Sequence, residues 1–300
     1  MRAPAVAINP QTVAVETPHV AGFSARRGIR WHRFREHRLA AVALPILVLL
    51  VVAVLCAPLS PYNPDRSNLP QRLQAPSLAH PFGTDDLGRD ELTRTLVGGR
   101  ISLAVGLLAV FLSLTIGLLS GAPAGYFGGL VDSLLMRLTE AMLAIPQLFV
   151  LILLAVFFGT SFGAIVLIIG LLRWMSVARL VRASFLQHRG RDYVLAARAL
   201  GASTPRLMWR HILPNTTGPV IVAATLGIGA AILTESALSF LGLGIQLPTA
   251  SWGNMLRTSQ ATLTTAPWLA LAPGGFIFAS ILCINYVGDG LRDALDPHGP

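Results

Sequence analysis

The chain has 300 residues, of which 53% are hydrophobic and 12% charged, with 23 basic and 14 acidic side chains. A soluble domain carries about twice that charged fraction, so the composition excludes an ordinary soluble protein and predicts a helical membrane protein with several spans. All of the basic side chains are arginine. The lack of lysine excludes a P-loop ATP site, whose lysine binds phosphate, and a lysine Schiff base.

The apolar runs predict an all-α, polytopic fold with six transmembrane helices. Residues 1–38 form an N-terminal tail, in which 1–25 are expected to be disordered and the basic stretch 26–38 to lie as a helix at the membrane interface. Residues 39–297 form the six-span domain, and 298–300 are a short tail. The runs long enough to cross a bilayer are 39–58, 101–123, 137–158, 162–181, 217–240 and 267–288.

The arginines orient these spans. Seven arginines precede the first span, and a second cluster lies between the fourth and fifth spans. With six spans, both clusters and both termini fall on one side, which the positive-inside rule assigns to the cytoplasm. We therefore predict a multi-pass cell-membrane protein with a cytoplasmic loop over 182–216 and an extracytoplasmic loop over 59–100.

The loop 59–100 contains a cluster of acidic residues. Thr84 is predicted to cap a surface helix, with Asp85 and Asp86 in its first turn, where the helix dipole favours negative charge. A divalent cation site is the alternative, although the spacing is not that of a calcium loop. On the same side, Trp252 and Trp268 are expected to anchor the chain at the interface.

A few polar side chains fall within the predicted spans. Charges inside a membrane are costly and usually face a protein interior or water, so they mark a candidate translocation path. The alternative is a structural hydrogen bond or ion pair between helices, for instance Glu140 with Arg173. The candidate path residues are Glu140, Arg173, Thr234, Glu235 and Ser236.

Catalytic and metal-binding groups are not apparent. None of the histidines lies in a predicted span, which argues against an intramembrane protease base or a buried zinc site. Cys56 and Cys283 lie in separate apolar runs and are interpreted as unpaired core residues. We predict no catalytic residue and no metal ligand in this chain.

The segment RDYVLAARALGASTPRLMWRHILPN, residues 191–215, is the most informative part of the chain. Its alanine and leucine content predicts a helix, which Gly201, Ser203 and Pro205 end and restart, and Pro214 is predicted to end the second helix. Small side chains on such a helix suit docking into a groove of another protein. The residues predicted to make that contact are Asp192, Leu195, Ala196, Ala197, Arg198, Gly201, Ala202 and Ser203.

This segment resembles the EAA loop of bacterial ABC importer permeases. Ala196, Ala197, Gly201 and Leu213-Pro214 match that pattern in register, whereas Leu195 stands where the family often has Glu and His211 where it has Ile. The resemblance extends over residues 30–297 and is to the C-type permease subunits of dipeptide and oligopeptide importers. It rests on HPFGTDDLGRD (80–90), GYFGG with Asp132 (125–132), ARLVR (178–182), AARALGAS, RHILPN, LSFLGLG (238–244), SWGNML (251–256), APWLAL (266–271) and GDGLRDALDP (288–297).

The resemblance implies a type I importer permease fold and a non-catalytic pore subunit for peptide import. Its partners would be a homologous second permease, two cytoplasmic ATPases that bind the coupling helices, and an extracytoplasmic peptide-binding protein. ATP and magnesium would be bound by the ATPases, leaving no cofactor in this chain. The alternatives are a permease of the same family for nickel or glutathione, an ion-gated secondary transporter and an intramembrane enzyme.

Overall fold

The computed structural model describes His32 and residues 34–295. Within them the helices are joined by turns and irregular segments, and the one β-type pairing is an isolated bridge between Thr84 and Asp90. This confirms the predicted fold class. The predictions for 1–25, for most of 26–38 and for 298–300 lie outside the described residues. The helices are α1 (Arg38–Leu55), α2 (Glu91–Phe127), α3 (Gly129–Leu143), α4 (Gln147–Phe158), α5 (Phe162–Arg189), α6 (Asp192–Ala199), α7 (Thr204–Phe240), α8 (Trp252–Ser259) and α9 (Trp268–Leu295).

Five of these helices are long and apolar enough to cross a membrane, and α3 with α4 adds a sixth crossing if the pair counts as one span. The packing of α2 on α5 favours the sixth crossing. Along this contact Gly117 faces Val177 and Gly125 faces Arg182 and Phe185, so the two helices run parallel. The chain between the end of α2 and the start of α5 must therefore return across the membrane, and α3 and α4 make that return.

The predicted span 137–158 is not one continuous helix. It breaks between Leu143 and Gln147, and the axes of α3 and α4 meet at 84°. Pro146 precedes α4 and has an extended ψ of 115°. A proline disfavours helical geometry in the residue before it, which explains why the bend occurs here.

Glycines on α2 allow its backbone to lie directly against α5. A Cβ atom at Gly121 would overlap the carbonyl oxygen of Ala178, and one at Gly117 would press on Val177. Such small residues permit the close helix approach that van der Waals packing inside a membrane requires. α7 packs on α2 and on α9, and α9 also packs on α1.

The loop between α5 and α7 is shorter than the predicted 182–216, because α5 continues to Arg189 and α7 begins at Thr204. The prediction that Pro214 ends the second helix is wrong. A π-helical segment, Leu207–Ile212, ends two residues before this proline, and the helix then continues to Phe240. A π turn changes the local hydrogen-bond register, which accommodates a residue that has no N–H to donate.

On the opposite face, the predicted cap at Thr84 is also wrong, since α2 begins at Glu91 and the carboxylate of Asp90 accepts a hydrogen bond from the Thr93 amide. Instead, the carboxylate of Asp85 accepts a hydrogen bond of 2.6 Å from the guanidinium of Arg89 within a turn.

The prediction that Trp252 anchors the chain at the membrane interface is wrong as well. Its side chain is fully buried and its indole N–H donates to the carbonyl of Thr95 at 2.8 Å.

Candidate functional site

The short helix α6 sits on a small apolar core at the ends of three membrane-spanning helices. Val194 is its one fully buried side chain, and it packs in a cluster with Phe185 of α5 and Leu207 of α7. Ala197 and Ala202 lie against the same cluster and are partly buried. A displacement of α6 would therefore press on α5 and α7 together.

The other face of α6 carries apolar side chains that the described chain leaves exposed to different extents. Leu200 is 89% exposed and Leu195 is 46% exposed, and Ala196 and Ala199 are also exposed. Exposed apolar side chains at helical spacing on a rigid base are suited to a groove in another protein. Asp192 and Arg198 flank this face and are exposed as well.

The turn after α6 depends on Gly201. Its φ is +82°, and no atom lies within 4 Å of the position that a Cβ would take. This residue is therefore glycine for its left-handed backbone conformation and not because of crowding. Ser203 then adopts an extended conformation and leads into α7.

Two contacts that sequence reasoning missed attach this region to the α2–α3 corner. The guanidinium of Arg198 lies 6.0 Å from the ring centroid of Tyr126 and donates to its hydroxyl at 3.3 Å. Arg182 of α5 forms a two-pronged ion pair with Asp132 of α3. The motifs GYFGG and ARLVR contain Tyr126 and Arg182, but nothing in the sequence indicates which residues these two side chains contact.

Among the candidate path residues, Arg173 lines a cavity. The cavity has a volume of about 350 Å³ and lies between α2, α5, α7 and the start of α4. Its polar lining includes Ser113, Gln147 and Ser176. The predicted ion pair between Glu140 and Arg173 does not form: Glu140 is exposed on α3, and the ion pairs of the described residues do not include it.

Glu235 lies elsewhere, fully buried at the contact of α7 with α2. Its carboxylate accepts hydrogen bonds from the hydroxyls of Ser102 at 2.9 Å and Ser239 at 2.7 Å, and a longer one from Ser236 at 3.5 Å. The hydroxyl of Thr234 donates to the Ala230 carbonyl within the same helix. Thr234, Glu235 and Ser236 therefore do not line the cavity that contains Arg173.

Comparison with known proteins identifies relatives along nearly the whole chain. A family model described as a binding-protein-dependent transport system inner membrane component matches residues 113–298. A second model, described as the N-terminal TM domain of oligopeptide transport permease C, matches residues 27–76.

Individual relatives agree with these matches. The chain is 44% identical over 266 residues to the oligopeptide transport system permease protein OppC of Bacillus subtilis, covering 88% of this chain and 87% of that protein. It is 45% identical over 269 residues to the dipeptide transport system permease protein DppC of the same organism, covering 89% and 84%. The OppC protein of Escherichia coli is 44% identical over 268 residues, covering 88% and 89%.

Proposed function

Because the chain belongs to the family of binding-protein-dependent transport system inner membrane components, we propose that it is the non-catalytic pore subunit of an ATP-driven importer of dipeptides or oligopeptides. The peptide substrate is proposed because relatives at 44–45% identity are named as oligopeptide and dipeptide permeases. In this proposal ATP and magnesium are bound by partner ATPases, and this chain holds no cofactor.

The complete importer would contain a homologous second permease, two cytoplasmic ATPases and an extracytoplasmic peptide-binding protein. Both termini of this chain and α6 would face the cytoplasm, because the arginines concentrate at that end. The loop between α1 and α2, together with α8, would face the binding protein.

The observation that carries the proposal is the exposed apolar face of α6 around Leu200, held on a core shared with α5 and α7. ATP-driven closure of the ATPases would move α6, and Val194 would transmit that motion to the two membrane-spanning helices. The contact of Arg198 with Tyr126 would carry it to the end of α2. A ligand shifts such an equilibrium only when it binds the two states differently, and the loaded binding protein and ATP would provide that difference.

Uptake by proteoliposomes tests this function. The complete assembly, supplied with ATP and a loaded binding protein, is expected to accumulate labelled peptide, whereas omission of the ATPases is expected to abolish uptake. Labelled nickel and labelled glutathione serve as competing substrates. Uptake of nickel or glutathione in place of peptide would contradict the substrate, and uptake by this chain alone would indicate a secondary transporter.

A further inference from the structure

The guanidinium of Arg173 is a charge in the membrane interior without a partner in the described chain. Among residues 32 and 34–295 it forms no ion pair, and it is partly buried. It is the twelfth residue of α5, which places it about 17 Å along the helix axis at 1.5 Å per residue. In a hydrocarbon core of about 30 Å this is close to the midplane, where an uncompensated charge is costly.

The surroundings of Arg173 form a recess in which the guanidinium and three other polar side chains lie among apolar ones. The cavity of about 350 Å³ places Gln147 and the hydroxyl-bearing Ser113 and Ser176 on its walls with the guanidinium, and no acidic residue contributes to its lining. A volume of this size falls within the range of small-ligand sites.

The break between α3 and α4 adds to the positive potential. Gln147, which lines the cavity, is also the first residue of α4. In the first turn of α4 the amides of Phe149 and Val150 donate to the carbonyl of Pro146. The amides of Gln147 and Leu148 have no acceptor within the helix, and the helix dipole makes this end positive. A broken span whose helix end lies near mid-membrane, beside a cationic side chain, is an arrangement that suits an anionic group of a substrate.

We propose that Arg173 and its cavity bind the C-terminal carboxylate of a peptide during translocation. The inference rests on the proposed peptide import and adds the group that is recognised. A free carboxylate is the one negative charge that every unmodified peptide carries whatever its side chains, and a guanidinium binds it through two parallel hydrogen bonds. A lipid phosphate does not fit, because lipid headgroups lie at the membrane surface and Arg173 lies near the midplane.

The test compares two forms of one peptide, with a free C-terminal carboxylate and with a C-terminal amide. Initial rates of ATP-driven uptake are measured with the complete assembly in proteoliposomes, using the same binding protein throughout. Any preference of the binding protein for one form is then the same for every permease variant. The ratio of the acid rate to the amide rate therefore reports a change in the permease alone.

Arg173→Gln is expected to lower this ratio about tenfold by slowing uptake of the acid form while leaving the amide form near its original rate. Arg173→Lys keeps the charge but loses the two-pronged contact, so it is expected to lower the ratio by a smaller factor. Arg179→Gln removes an exposed arginine from the same helix and is expected to leave the ratio unchanged. Co-purification of the partner subunits with each variant establishes assembly.

Equal loss of both forms in Arg173→Gln would overturn the proposal and would indicate that Arg173 pairs with an acidic group of the second permease. An unchanged ratio would overturn it as well. If Arg173→Gln fails to assemble, Arg173→Lys is used instead. A lower ratio of acid to amide uptake in Arg173→Lys would then support the proposal, and an unchanged ratio would overturn it. Failure of the unaltered assembly to import either form would instead contradict the proposed function.

Discussion

At the scale of single residues, Glu235 shows how an ionisable side chain can take part in the packing of helices inside a membrane. Its carboxylate accepts from Ser102 on α2 and Ser239 on α7. The Ser102 hydroxyl accepts from the Trp252 amide, and the Ser239 hydroxyl accepts from the Ile245 amide. One buried carboxylate thus fixes two serine hydroxyls, which in turn hold the start of α8 and the segment before it.

We predict that Glu235→Leu destabilises the folded protein, because both serine hydroxyls lose their acceptor in a buried site. Each unsatisfied buried hydroxyl costs about 1–3 kcal/mol. Glu235→Gln keeps one acceptor oxygen in place and is expected to cost less. Thermal unfolding in detergent measures both variants, and a melting temperature for Glu235→Leu equal to that of the unaltered protein would contradict the structural role.

The same variants test the hypothesis that Glu235 lines the translocation path. If Glu235→Gln is as stable as the unaltered protein but transports peptide at a different rate, the path hypothesis gains support. An unchanged transport rate would leave only the structural role.

At the scale of the helical elements, the contact of α2 with α5 depends on glycines. Gly121 faces the backbone of α5 at Ala178, and Gly125 faces it at Arg182. The C-terminal end of α5 directly precedes α6 in the chain. The C-terminal end of α2 lies beside α6, where Tyr126 contacts Arg198. Their contact therefore keeps the base of α6 rigid.

We predict that Gly121→Ala lowers stability by about 1–3 kcal/mol, the usual cost of forcing an extra methyl group into a packed interface. Gly163→Ala is the matched control, because Gly163 lies near the start of α5 and no atom lies within 4 Å of the added Cβ. Thermal unfolding of both variants in detergent gives the comparison. Equal melting temperatures for the two alanine variants would contradict the prediction, because they would show that α2 and α5 can move apart to accept the methyl group without loss of stability.

The sequence predicts the membrane-spanning helices well where apolar runs are continuous, because hydrophobic length dominates there. It misplaces Thr84 and Pro214, where long-range contacts and a π turn decide the backbone. The pairing of Asp132 with Arg182 joins residues that are distant in the chain, so no local pattern reveals it. The presence of Arg173 and Gln147 in the lining of one cavity likewise requires the bend between α3 and α4, whose angle the sequence does not specify.

At the scale of the whole molecule, the proposed docking face of α6 and the proposed carboxylate site at Arg173 lie in different parts of the structure. One end presents α6 with its exposed apolar face, and the membrane interior holds the Arg173 cavity between α2, α5 and α7. α5 and α7 contribute to both, since the core beneath α6 includes Phe185 and Leu207. Movement of α6 would therefore change the helices that form the cavity, which is the coupling that an ATP-driven pore requires.

In the complete importer, we propose that α6 contacts an ATPase subunit. A photo-activated cross-linking residue placed at position 200 in the complete assembly tests this contact directly. Position 78 is the control, because Leu78 is at least as exposed as Leu200 and lies in the loop between α1 and α2. We expect an adduct between position 200 and the ATPase subunit, and none between position 78 and that subunit. Irradiation that links position 200 to no ATPase, in an assembly that imports peptide, would contradict the proposed contact.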